Sequence, residues 1–432
     1  MESIWTRTAD LPRFQPLDGD LKTDVLVIGG GITGILCAWT LRRRGVDCAL
    51  IEADRLCGGT TGHTTAKITS QHGLVYHRLM KEFGADAARL CWQAQEAALE
   101  RYRELCREIP CDFEEKDNFV YALDSRAELE KELEALERIG APARFAGELP
   151  LPFPTAGAVS LPRQGQFHPL KFLAALVKDL PVYEHTRALE WSPGLVRAER
   201  GIIRAEKVIA ATHFPFITNH GGYFLKLCQH RSYVLALENG PDAGGMYVDA
   251  SKTGMSFRNF GSLLLLGGGG HRTGKQGGGW QELEDAARRY YPHAKVTGRW
   301  AAQDCMSLDG APYIGQYGRR TPGLYTASGF NKWGMTGAMA ASELLADLVL
   351  GRENPYAGIF DPSRTILRPQ LAANVLESTV NLLTPTVPRC PHLGCALKYN
   401  PQEHTWDCPC HGSRFRSDGA VLDGPANGDK PM

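Results

Sequence analysis

Residues 25–53 read VLVIGGGITGILCAWTLRRRGVDCALIEA. The order is strand, glycine turn, helix, strand, acid. Val25 to Ile28 form a short apolar run suited to a buried parallel strand. Gly29, Gly31 and Gly34 then fall in the G-x-G-x-x-G spacing. The first allows the sharp turn, the second lets backbone approach a pyrophosphate, and the third lets the helix pack close to the sheet. The helix that starts near Ile32 aims free N–H groups and its positive dipole end at the phosphates. A second apolar run, Cys48 to Ile51, ends at Glu52, 18 residues after Gly34, where a ribose hydroxyl finds its acceptor. This stretch predicts a bound dinucleotide and leaves FAD and NAD both open.

The chain has 432 residues, enough for two or three domains, with 43% hydrophobic and 22% charged residues. Forty-eight Lys and Arg balance 48 Asp and Glu. That balance offers no electrostatic case for nucleic acid or an anionic membrane. The first residues, MESIWTRTADLPRF, lack the apolar core of a signal peptide, and no apolar run approaches a bilayer span. The expectation is a cytoplasmic protein without membrane insertion. Of 12 cysteines, most are scattered, which suits reduced thiols. Cys390, Cys395, Cys408 and Cys410 crowd together near the C-terminus.

Working outward from Glu52, Asp54 to Gly73 (DRLCGGTTGHTTAKITSQHG) is a loop of small residues placed to touch a flat cofactor. Helical spacing runs from Leu74 to Ile109 and again from Arg126 to Ile139. Strands are expected at Phe119–Leu123, Ala158–Leu161 and up to Ala210. Four more follow at Ser232–Leu237, Met246–Val248, Met255–Phe260 and Leu263–Leu266, a succession that predicts an antiparallel sheet separate from the parallel one. Trp280–Tyr291 reads as a helix, Leu324–Ala327 as a strand and Gly334–Leu350 as a helix. Gly269 to Lys275, GGHRTGK, mimics a phosphate loop. The next residue is Gln276, however, so the hydroxyl that would bind magnesium is missing.

Three segments together resemble the flavoprotein oxidoreductases of the glycine oxidase, D-amino-acid oxidase and sarcosine oxidase type. They are the glycine turn with Glu52, the strand ending in KVIAATHFP, and DGAPYIG followed by GLYTASGFNKWGMTGAMAASELLADLVLG. The resemblance spans roughly residues 20–351. It implies an α/β FAD-binding Rossmann-like domain (about 20–80, 150–215 and 300–351). Interleaved with it is an α+β antiparallel-sheet substrate domain (about 81–149 and 216–299). The cofactor contacts it implies are Gly29, Gly31, Ile32, Thr33, Gly34, Glu52, Thr60, Thr61, Gly329, Gly334, Met335 and Thr336. The helix beginning at Gly334 can face the pyrimidine edge of the flavin, where its dipole stabilises negative charge. No second G-x-G-x-x-G stands in a strand–turn–helix context, so a small organic donor is favoured over a nicotinamide.

Such an enzyme must hold the donor carbon at the flavin and bind the donor's charged group. Arg231, Tyr233, Arg258 and His271 are the candidates. Arg258, in the strand MSFRNF, is the first choice as a catalytic residue. In sarcosine oxidases a Cys-Met pair carries a covalent flavin link. Cys305-Met306 has the same two residues, with a tether as one reading and a buried thiol as the other.

At the C-terminus, CPHLGC (390–395) and CPCHGS (408–413) bring two cysteine–histidine pairs together. Zinc or an iron–sulfur cluster is open to such a donor set. Both boxes resemble the Rieske proteins. That resemblance implies a [2Fe–2S] cluster on Cys390, His392, Cys408 and His411, with a disulfide between Cys395 and Cys410. The expected organisation is an oxidoreductase unit (1–351), a linker (352–384) and a small, shortened all-β Rieske-type domain (385–432). Two functions follow. In the first, FAD oxidises a small amine, amino acid or related donor and electrons pass to the cluster and an unknown acceptor. In the second, the protein relays or senses electrons for a partner protein without turnover of its own.

Overall fold

The computed structural model describes residues 2–251, 254–385 and 388–429. Its centre is a mixed eight-stranded sheet built on the opening stretch. Leu21–Ile28 lies parallel between Gly201–Ala210 and Cys48–Ile51, with Ile28 opposite Ala210 and Ile51. Leu324–Ser328 extends it on one side and Val182–Tyr183 on the other, both parallel, and Tyr313–Gln316 adds an antiparallel edge. The helix Ile32–Arg43 packs on this sheet and on the long helix Gly334–Val349. Val25, Val27, Ile35, Leu36 and Leu345 are buried between them.

A nine-stranded sheet interleaves with the first in sequence. Its longest member, Lys295–Ser307, is an edge strand paired with Leu227–Glu238. Most pairings are antiparallel, as expected. The exception is Met246–Asp249 beside Glu114–Ala122, which run parallel. The stretch expected as continuous helix divides at Gly84, where φ is +86°, into Tyr76–Phe83 and Ala85–Glu108. The glycine-rich GGHRTGK lies largely within the strand Leu263–Arg272, so it is no phosphate loop.

In the stretch expected as a linker, LAANVLESTVNLL (371–383) reads as helical. That stretch carries the helices Ala357–Phe360 and Pro369–Leu383. Beyond it, four short antiparallel strands from Lys398 to Asp423 form a small all-β sheet. Among the described residues, no helix is long and apolar enough to cross a membrane.

Candidate active site and metal centre

The glycine turn opens into a cleft of about 610 Å³. Gly29 has φ +110°, and a Cβ there would lie 2.5 Å from the Ala211 carbonyl oxygen. At Gly34 a Cβ would stand 1.8 Å from the Gly29 oxygen, so only glycine permits this helix-to-turn approach. Gly31 is the N-cap and brings no side chain to satisfy the first turn. The helix start therefore faces the cleft as an anion site of the kind a diphosphate occupies. The Ile32 N–H donates to Thr61 Oγ1 (3.0 Å), which fixes the following loop.

Glu52 stands at the end of the second strand and accepts from the Gly30 N–H (2.6 Å) and the Asp54 N–H (2.9 Å). Burial pushes its carboxyl up, against the pull of those two donors. Of the residues expected at the cofactor, Gly29, Gly31, Ile32, Thr33, Glu52, Thr60, Thr61, Gly334 and Met335 line the cleft. Gly34, Gly329 and Thr336 do not. Gly34 makes the close approach already described, and the Thr336 hydroxyl donates to the Thr69 carbonyl (3.0 Å). Cys305 lines the cleft, and burial pushes its thiol up to about 12.

The four candidate donor-binding residues are engaged elsewhere. The buried Arg258 guanidinium donates to the carbonyls of Thr65 (2.9 Å) and Ala66 (2.8 Å) and lies against the Trp5 ring. It does not line the cleft, and it ties its strand to the backbone just before the strand Lys67–Ile68. Arg231 forms a buried ion pair with Glu403 of the small domain (Nε to Oε1, 2.9 Å). Tyr233 donates to the same carboxylate (3.0 Å), and His271 stacks on Tyr233. Asp304, Lys332 and His213 line the cleft instead. His213 and Lys332 lie in two of the segments that carried the resemblance, KVIAATHFP and GLYTASGFNKWGMTG, but were not singled out.

The small domain docks on the strands Leu227–Glu238, Leu263–Arg272 and Lys295–Ser307. Gln229 Nε2 donates to the His411 carbonyl (3.0 Å) and Gln303 Nε2 to the Gly412 carbonyl (2.8 Å). Arg272 Nε donates to the Pro409 carbonyl (3.1 Å). Arg414, buried, joins Glu403, Asp407 and Asp423.

The two histidines of the C-terminal boxes meet edge to face, ring centres 4.9 Å apart. Burial lowers His392 to about 3 and His411 to about 4, so both are neutral, as metal ligation demands. Both ring nitrogens of His392 and Nδ1 of His411 are buried without a hydrogen-bond partner. His411 Nε2 meets the Phe224 carbonyl at 3.1 Å, the outer contact that orients a ligating imidazole. The Sγ atoms of Cys395, Cys408 and Cys410 lie within 4.8 Å of one another, and Cys390 hydrogen-bonds Cys408. Orphaned imidazole nitrogens beside a group of thiols fit a metal cluster with mixed nitrogen and sulfur donors. The expected Cys395–Cys410 disulfide is not formed. Both are free thiols, because the sulfurs gather as one hydrogen-bonded group rather than as two ligands and a separate bridge.

A family model described as FAD dependent oxidoreductase (DAO) matches residues 24–348, and a Rieske [2Fe-2S] domain model matches residues 378–431. The chain belongs to the DAO family of FAD-dependent oxidoreductases. It carries a C-terminal Rieske domain, and its cofactors are FAD and a [2Fe–2S] cluster. A putative Rieske 2Fe-2S iron-sulfur protein, YhfW of Bacillus subtilis, is 34% identical over 488 residues, covering 98% of this chain and 96% of that protein. Gamma-glutamylputrescine oxidoreductase of Escherichia coli is 25% identical, covering 78% and 86%. The DAO fold is also that of glycine oxidase from Geobacillus kaustophilus, at TM-score 0.67 and 21% identity over 80% of this chain and 100% of that one.

Proposed function

We propose that this oxidoreductase takes electrons from a small amine, amino acid or related donor at FAD. It hands them one at a time to a Rieske cluster held by Cys390, His392, Cys408 and His411, which passes each on to an external acceptor before taking the next. The observation that carries this reading is Phe214. Its side chain lines the FAD cleft, and its ring meets both imidazoles edge to face, at 6.4 Å from His392 and 6.1 Å from His411. Phe214 thus touches both the cleft and the pair of imidazoles, which supports a short path between them. When bound, FAD accepts two electrons from an organic donor, and a cluster with two imidazole ligands accepts them singly.

The chain's own residues supply position and charge. The glycine turn and the helix start at Ile32 hold the diphosphate, and Glu52 holds the ribose hydroxyls. The helix start at Gly334 stabilises negative charge on the flavin ring. Asp304 offers a carboxylate at the cleft for an ammonium group, and its Oδ2 is fixed by the Ser232 hydroxyl (3.1 Å). Imidazole donors at His392 and His411 leave the cluster less negative than thiolates would, which eases its reduction. The names of the relatives, an oxidoreductase of gamma-glutamylputrescine and a glycine oxidase, support an amine or amino acid as donor.

Anaerobic mixing of the purified holoprotein with a panel of amines and amino acids tests the reading. It predicts flavin bleaching by at least one of them. A second reading, electron relay for a partner protein, is favoured by one observation: Arg231, Tyr233, His271 and Arg258 are all committed to structure. Bleaching by a protein reductant and by no small molecule would establish it.

A further inference from the structure

The FAD cleft is not walled by the oxidoreductase domain alone. Val421–Asn427 of the Rieske domain lines it together with the glycine turn and Glu52. This segment is tied down at three points. Asn427 Nδ2 reaches the carbonyls of Ala188 (3.1 Å) and Leu189 (3.3 Å) on the strand Ala188–Ser192. Gln229 Nε2 donates to the Gly424 carbonyl (3.2 Å). The Ala426 N–H donates to Ser413 Oγ (3.0 Å), and Ser413 closes the second cysteine–histidine box. Ala188 itself lines the cleft beside Thr186, whose N–H donates to the Glu52 carbonyl (2.8 Å). The segment therefore runs from the metal box to the backbone that flanks the ribose carboxylate.

We propose that Val421–Asn427 is a retaining strap, so that the Rieske domain completes the dinucleotide site and FAD enters or leaves only when the strap separates from Ala188 and Leu189. Two consequences follow. FAD loads before the Rieske domain docks. Retention also depends on the order of the metal box, because Ser413 holds Ala426. The coupling is reciprocal: a strap that retains FAD is itself held by FAD.

FAD release from the full-length, cluster-loaded protein, followed as the rise in flavin fluorescence on dilution, tests the strap. Asn427→Ala removes two hydrogen bonds and is expected to speed release about tenfold with the cluster's visible absorption retained. Asn427→Asp sets a carboxylate against the same two carbonyls and is expected to speed it further. Release at the wild-type rate in both variants would overturn the proposal. A measurement on the wild type needs no substitution: backbone amides of 421–427 are expected to exchange more slowly with FAD bound than after FAD removal. Equal exchange would likewise overturn it. A preparation with no flavin absorption at all would contradict the family assignment instead, and is recognised before either measurement begins.

Discussion

The oxidoreductase domain and the Rieske domain solve the problem of stability in opposite ways. The first buries a large apolar core between helices and sheet, with Val27, Ile35, Leu36, Leu50 and Leu345 fully enclosed. The second has a core of seven residues, Cys390, Cys395, Leu397, Cys408, Cys410, Phe415 and Ala426, of which four are cysteines. A unit of about 40 residues rarely stands on so little apolar burial. It needs a metal and a neighbour. The neighbour is mainly the second sheet, and the contact combines a buried charge network with side-chain amide bonds and the Phe214 ring. The contrast teaches that here the same residues join the domains and complete the small one.

The largest expected effect is on the metal. Cys408→Ser, or iron removal by a chelator, is expected to abolish amide protection across 388–429 while Val25 to Ile28 exchange as before. Hydrogen exchange read by mass spectrometry checks this, and protection that survives would mean the apolar core suffices. Next comes the charge network. Arg231 and Glu403 are 2% and 7% exposed. Arg231→Met leaves a buried carboxylate short of a partner and is expected to cost about 3 kcal/mol of docking stability. Calorimetry should show the Rieske-domain transition falling and the oxidoreductase transition unmoved.

Acid acts on the same carboxylate. Burial pushes Glu403 up, but Arg231 and Arg414 outweigh it and hold the group below its ordinary 4.5. Its stabilisation is therefore complete above that value and is lost as pH falls through the lower, folded one. The docking transition should be level from neutrality to about pH 4.5 and drop below it; loss on raising pH instead would contradict the pairing. The smallest effect concerns Cys305. With its thiol raised to about 12, the thiolate that would attack a flavin is scarce. Acid precipitation should leave all flavin in the supernatant, and yellow colour in the pellet would reveal a tether.

The glycine turn, Glu52 and both metal boxes were legible because their spacing reflects backbone geometry and ligand chemistry. Other features carried no such spacing. Lys295–Ser307, KVTGRWAAQDCMS, is the longest strand, yet it has few β-branched residues and no clean alternation. Arg231 and Tyr233 read as donor-binding residues on a sheet face. Nothing local in the sequence shows that Glu403, 172 positions away from Arg231, closes over both. The disulfide was inferred from a resemblance, and the two sulfurs instead stand unbridged within 4.8 Å of each other and of Cys408 Sγ. Residues that act across the interface, such as Phe214, Gln229 and Asn427, become visible only when the two domains are seen together.

That interface carries the central claim, and single-turnover kinetics test it most directly. The holoprotein, cluster oxidised, is mixed without oxygen with a donor that bleaches its flavin, then frozen at intervals for electron paramagnetic resonance. The signal of the reduced Rieske cluster is expected to rise as electrons leave the flavin, and more slowly in Phe214→Ala. A flavin that stays fully reduced beside an oxidised cluster would contradict the central claim.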